Sequence, residues 1–187
     1  KWDFERTRDK LKLVRTIMAM ANTQGGTIYI GCGEAGSRIG ISKRKARQID
    51  TAKIVDLIHS FVETTINIKM YEEAVSPRKV VLEIHVDAIK PPRIWAIPKK
   101  DGQYSNSRGR NVVVFRKSSL YIRESGKDEL ASYRDYHRLL MDWVSGLGNF
   151  LAEYSNNIEA ARELFRDADA PDWRKYLRLM AVRQESA

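Results

Sequence analysis

The stretch AMANTQGGTIYIGCGEAGSRIG, Ala19 to Gly40, decides how this chain reads. An apolar helical run ends at Asn22-Thr23-Gln24-Gly25-Gly26, and a β-branched, aromatic run, Thr27 to Ile30, follows at once. Glycine ends helices and β-branched residues favour strands, so the segment predicts a helix, a tight turn and a buried strand. A second glycine cluster, Gly31, Gly33 and Gly36, then leads to a short strand at Ile39-Gly40-Ile41. Backbone amides in such turns can cradle an anion, or the glycines can serve only to let a helix approach a sheet closely. No GxxxxGK[ST] loop is present and no long helix opens after the strand, so the structural reading is preferred.

Working outward, Leu11, Val14, Ile17, Met18 and Ala21 recur at helical spacing and predict a helix over 7–21. A second helix is expected over 44–65, with Ser42 available as its cap. Strands are expected at 66–75, at 80–86 after a Pro77-Arg78 turn, and at 112–115 and 120–123 around a Lys117-Ser118 turn. Residues 88–98 read as an extended segment broken by Pro91-Pro92, and 102–109 as a polar loop. A helix is expected over 128–144, with punctuation at Gly146 and Gly148, further helices over 149–167, and a last one opening at Pro171. The pattern implies an α+β domain, a mixed sheet with helices packed on it, over 1–145, followed by a C-terminal helical extension over 146–187.

The 187 residues are 43% apolar, enough for a core. No apolar run is long enough to span a membrane and no secretory signal pattern opens the chain, so a cytoplasmic location is expected. The chain starts at Lys1 rather than Met, which points to a fragment of a longer protein. A single cysteine, Cys32, excludes an internal disulfide, and no CxxC or HxxxH spacing suggests zinc. His59, His85 and His137 form no nucleophile–base pattern with one another. The formal charge is +9, concentrated in 90–127, where ten basic residues face two acidic ones. That distribution points to a polyanion partner.

Ala21-Asn22-Thr23-x-Gly25-Gly26-Thr27-Ile28-x-Ile30-Gly31, with Ile39-Gly40-Ile41 after it, resembles the signature of the AlbA-2 (Schlafen-type) nucleic-acid-binding domain family. Asp3-Phe4-Glu5-Arg6 sits where that family has a Glu-Phe-Lys element. Val80 to Val86 with Pro91-Pro92 resembles its central strand and Pro-containing loop, and Tyr121-Ile122-Arg123 its closing Tyr-Ile-Arg segment. The resemblance runs over about Trp2 to Leu140. It implies a nucleic-acid-binding module of a larger regulatory or defence protein, prokaryotic in type. Some Schlafen members are RNA endonucleases with three carboxylates around a divalent metal, which would activate water and stabilise charge on phosphate. Here Asp3 matches the second carboxylate, the first would precede Lys1, and the third falls on Gly33. A nuclease would rely on Asp3, Glu5 and a shifted Glu34, with Mg²⁺ or Mn²⁺. Otherwise no cofactor or resident metal is expected.

The basic residues are the better functional candidates. Lys43, Arg44, Lys45 and Arg47 form one cluster. Arg93, Lys99, Lys100, Arg108 and Arg110 form a second, and Arg116, Lys117 and Arg123 a third. Trp95 and Tyr104 lie among them as candidate stacking rings, and Asn106 and Ser107 as phosphate donors. No base-reading helix is evident, so binding to DNA or RNA is expected through backbone contacts. The apolar extension admits packing on the domain, a homodimer interface or a protein-interaction role.

Overall fold

A computed structural model describes residues 3–33 and 36–154, with backbone only over 151–154. Its central element is the strand Val80–Val86, expected from the run Val-Val-Leu-Glu-Ile-His-Val and observed as Lys79–Val86. Numbered in chain order, the elements are helix α1 (Thr7–Ala21), strands β1 (Gly26–Ile30) and β2 (Ile41–Ser42), helices α2 (Lys43–Ala46) and α3 (Thr51–His59), and strands β3 (Ile68–Ser76) and β4 (Lys79–Val86). Then come β5 (Gly102–Ser105), β6 (Asn111–Phe115), β7 (Tyr121–Glu124), β8 (Lys127–Leu130) and helix α4 (Tyr133–Tyr154).

The architecture is α+β. Strand β4 pairs with β3 along one edge and with both β1 and β2 along the other. Where a mixed sheet is expected, every described ladder is antiparallel. Tight connections such as Pro77-Arg78 between β3 and β4 join neighbours directly, and parallel pairing would need a long crossover. Strands β5–β6 and β7–β8 form two separate hairpins.

Strands β1 and β2 lie end to end on β4. Ile30 pairs with Leu82 and Ile41 with Val80, so the ten residues between them loop out opposite Val81 alone. The loop is pinched shut at its base, where the Gly31 carbonyl accepts from the amides of Ile39 (3.0 Å) and Gly40 (2.7 Å). Gly31 has φ +106, and a Cβ there would lie 3.2 Å from the Gly40 Cα and from the Val80 carbonyl oxygen.

Helix α1 is the keel of the fold and keeps its expected bounds. Leu11, Val14, Ile17, Met18 and Ala21 are buried as predicted, and Leu13, Ala19 and Met20 join them. The wider burial arises because α1 packs against β4 and also against the strands of both hairpins. Leu82, Ile84 and Val86 supply the sheet side of this core, with Ile54, Ile58 and Phe115. Burying each such side chain stabilises by about 1.5–3 kcal/mol. Leu120, Ile122, Ala131 and Leu139 make a smaller cluster beneath α4.

Several expectations are corrected. The single helix over 44–65 is two: Asp50 breaks it by capping α3, its carboxylate accepting from the Lys53 amide at 2.8 Å. Ser42 caps α2 as expected, at a long 3.4 Å. The polar loop over 102–109 contains β5, because Gly102 lies under the Phe115 ring. Residues 127–130 are strand, and α4 begins only at Tyr133, where Ser132 and Asp135 exchange backbone-to-side-chain bonds at 2.9 and 3.3 Å in a capping box. Strands β6 and β7 flank the expected Lys117-Ser118 turn but pair with different partners. Helix α4 continues through Gly146 and Gly148. The helices expected beyond residue 154 lie outside the described residues. Compact units form from Lys1–Val144 and from Ser145–Ala187. Among the described residues no helix is long and apolar enough to cross a membrane.

Candidate nucleic-acid interface

The glycine junction is built for structure. Asn22 ends α1 fully buried. Its Nδ2 donates to the carbonyls of Ala96 (2.9 Å) and Tyr121 (3.0 Å), and its Oδ1 accepts from the Ala96 amide (2.7 Å). One side chain thus ties the helix end to the Pro-containing segment and to β7. Gly25, at φ +73, passes so close to β4 that a Cβ would lie 2.4 Å from the Val86 carbonyl oxygen. These glycines seat a helix on a sheet, as the preferred reading has it.

The basic candidates divide by partner. Lys45 donates to Asp3 at 2.7 Å. Arg123 pairs with Asp128, a largely buried carboxylate that also accepts from Thr16 Oγ1 (2.6 Å) and faces Arg15 Nε at 3.5 Å. Lys45 and Arg123 are therefore each already paired with a carboxylate of the chain. Lys43, Arg44, Arg47, Arg93, Lys99, Lys100, Arg108, Arg110, Arg116 and Lys117 are exposed, and none forms an ion pair with a described residue.

Six of these sit on the β5–β6 hairpin. At its base, Gly102 pairs with Phe115, the Lys117 amide donates to Asp101 Oδ1 at 2.6 Å and the Ser118 amide to the Pro98 carbonyl at 2.9 Å. These bonds gather Lys99, Lys100, Arg116 and Lys117. The Lys100 ammonium also lies 4.7 Å from the Phe61 ring centre, a cation–π contact that leaves its charge at the surface. At the tip, the Asn106 side-chain oxygen accepts from the amides of Arg108 (2.9 Å) and Arg110 (3.0 Å). That shapes the turn and directs two guanidinium-bearing residues outward. Four strand residues separate base from tip, roughly 13 Å. Trp95 packs against the smaller core cluster and Tyr104 against the main one, and each is only partly buried.

A family model described as Schlafen, AlbA_2 matches residues 1–132. The chain belongs to the Schlafen AlbA_2 family. A comparison with curated proteins found no match. Membership in Schlafen AlbA_2 is consistent with a nucleic-acid-related role.

The metal implied for the nuclease members of the Schlafen family finds no fitting ligand set among the described residues. Asp3 is engaged by Lys45, whose hydrogen bond, followed by that of the Glu5 amide, holds its carboxyl below the usual range. Glu5 is exposed, and Glu34 lies outside the described residues. Asp9, buried and unforeseen from sequence, has both oxygens taken, by the Asp3 amide and the Arg8 guanidinium, each at 2.9 Å. Among the described residues, no three His, Cys, Asp or Glu side chains come together as a metal site. A Cβ at Gly33 would lie 2.6 Å from Ile39 Cδ1 and 2.8 Å from Ser37 Oγ, so a carboxylate there would have to displace both.

Sequence reading also missed Asn22 as a staple and Asp128 as the counter-charge for two arginines. A polar residue ending an otherwise apolar helix is the signal for the first. Nothing in the run Lys-Asp-Glu-Leu singles out the second.

Proposed function

We propose that this chain binds DNA or RNA through the basic β5–β6 hairpin and its surroundings, mainly by phosphate contacts. The observation that carries this reading is the set of Lys99, Lys100, Arg108, Arg110, Arg116 and Lys117. These are six exposed cations on one hairpin, with no ion-pair partner among the described residues. Clustered like charges repel, and a fold gains nothing from that repulsion unless a polyanion neutralises it. Lys43 and Arg44 on α2, Arg47 at its C-terminal end and Arg93 are further exposed cations that supply additional phosphate contacts. Sequence preference is weak, because the hairpin cations sit on turns and strand ends and no described helix presents a base-reading edge.

The module occupies residues 1–145 of a larger regulatory or defence protein in a prokaryotic cytoplasm. The extension 146–187 serves pairing with a second copy, which would place two basic hairpins on one ligand. Titrating labelled duplex DNA, single-stranded DNA and RNA at increasing salt tests the reading. Affinity falls with a log–log slope near −0.9 per phosphate contact on duplex DNA. Salt-insensitive binding, or none with any of the three, overturns it. Transfer RNA incubated with Mn²⁺ or Mg²⁺ stays intact. Cleavage lost on Asp3→Ala would instead establish the metal-dependent nuclease. A tight protein partner without nucleic-acid affinity would mark an interaction module.

A further inference from the structure

The side of the central sheet turned away from α1 carries a cross-strand row that the nucleic-acid reading does not use. Tyr29 on β1 pairs with Glu83 on β4, and Glu83 pairs in turn with Tyr71 on β3. Residues directly opposite in antiparallel strands point to the same face, so the three side chains stand side by side. Both rings are exposed, Tyr29 at 48% and Tyr71 at 53%, while the Glu83 side chain between them retains 20%.

The other charges of this face are nearly balanced. Arg38 of the looped-out segment reaches across to Glu73, the pairing partner of Val81. In the row on the other side, Thr27, His85 and Lys69 stand together, with Thr27 Oγ1 3.3 Å from His85 Nδ1. The His85 ring meets Tyr71 edge to face at 5.1 Å, and its Nε2 lies 3.5 Å from Glu83 Oε2. These contacts hold the Tyr71 ring and the Glu83 carboxylate from one side. No described lysine or arginine lies within ion-pair distance of Glu83, although Arg38, held chiefly by Glu73, also feels its charge.

We infer that this face docks a partner protein through an arginine side chain seated between Tyr29 and Tyr71 on Glu83. The chemistry selects that occupant. A carboxylate demands a cation, and two ring faces favour a flat one. The two tyrosine backbones stand two strand spacings apart, about 9–10 Å, so a guanidinium held over Glu83 lies about 5 Å from the line of either tyrosine strand. The guanidinium also matches a carboxylate with two parallel hydrogen bonds. A nucleic-acid strand is disfavoured here, because its phosphates would approach Glu83. The basic hairpin and this face are then two separate surfaces, one for a polyanion and one for a cationic side chain.

The test uses isotope-labelled full chain and amide-shift NMR. The probe is a blocked Gly-Arg-Gly peptide, with blocked Gly-norleucine-Gly as the uncharged control. Shifts are expected over 27–30, 69–73 and 81–85 with the arginine peptide alone. Tyr71→Ala and Tyr29→Ala each weaken the response about 2- to 30-fold, and Tyr71→Phe, which keeps the ring, restores it. Glu83→Gln weakens it about tenfold. These side chains are exposed or at the surface, and the unshifted remainder of the spectrum reports that each variant is folded. Absence of shifts at these residues overturns the inference, as does a response undiminished in Glu83→Gln. Shifts there with a single-stranded oligonucleotide but not with the peptide would assign the face to bases instead.

Discussion

The Asn22–Gly31 junction and the β5–β6 hairpin are built on opposite principles. At the junction almost every atom is committed: Asn22 uses both ends of its amide, Gly25 has no room for a methyl group, and Gly31 closes the loop. On the hairpin the side chains that matter touch little, and Asn106 shapes the turn that carries Arg108 and Arg110. The family fingerprint therefore encodes architecture, and the chemistry proposed for the protein lies on a surface the fingerprint does not include. A signature of glycines and one asparagine says how a helix meets a sheet. It does not say what the sheet's neighbours bind.

Breaking the junction should cost the most. Gly25→Ala forces a Cβ against the Val86 carbonyl at a left-handed φ, and thermal or urea unfolding should show a loss on the order of 3 kcal/mol. Asn22→Ala leaves the Ala96 amide and two carbonyls without their partner and should cost about 2–4 kcal/mol. Either is a large share of the ~5–15 kcal/mol that holds a domain folded. Asp128→Asn tests the boundary between the two kinds of residue. It strips the counter-charge from Arg15 and Arg123, and partial exposure of both arginines limits the expected cost to about 1–2 kcal/mol. Nucleic-acid affinity should not fall in that variant, since Arg123 is freed.

Arg108→Gln sharpens the comparison from the other side. Stability should change by less than about 0.5 kcal/mol in the same unfolding measurement, because the side chain is exposed and unpaired among the described residues. Affinity for duplex DNA should fall uniformly across sequences. The smallest effect belongs to Asp3. Its folded carboxyl titrates below the ordinary range because Lys45 favours the charged form. The stabilisation is therefore present above the ordinary carboxylate range and is lost as pH falls through the depressed value. NMR titration of the Asp3 carboxyl should show the low value rise toward the ordinary range in Lys45→Met, with the Glu5 amide bond keeping part of the depression.

Much of this fold was legible in sequence where local pattern and tertiary role agree. Helix α1 reads from its apolar spacing because that face is the one it buries. Strand β4 reads from Val80, Leu82, Ile84 and Val86 because the face they share is the one it buries. Strands β5 and β8 were not legible. Gly-Gln-Tyr-Ser and Lys-Asp-Glu-Leu carry no alternation, and their pairing is set by hairpin partners and by Phe115 lying over Gly102. The basic clusters were visible as charge. That Lys45 and Arg123 are spent on Asp3 and Asp128 was not, since those partners lie 42 and 5 positions away with no pattern linking them.

The central claim is that the hairpin cations, and not the fingerprint, carry nucleic-acid binding. The most direct test compares the salt dependence of duplex-DNA affinity for the natural chain and for a variant with Lys99, Lys100, Arg108, Arg110, Arg116 and Lys117 all changed to Gln. The account predicts a melting temperature close to that of the natural chain and a log–log slope shallower by about 0.9 for each lost phosphate contact. An unchanged slope and affinity in a folded variant would contradict it.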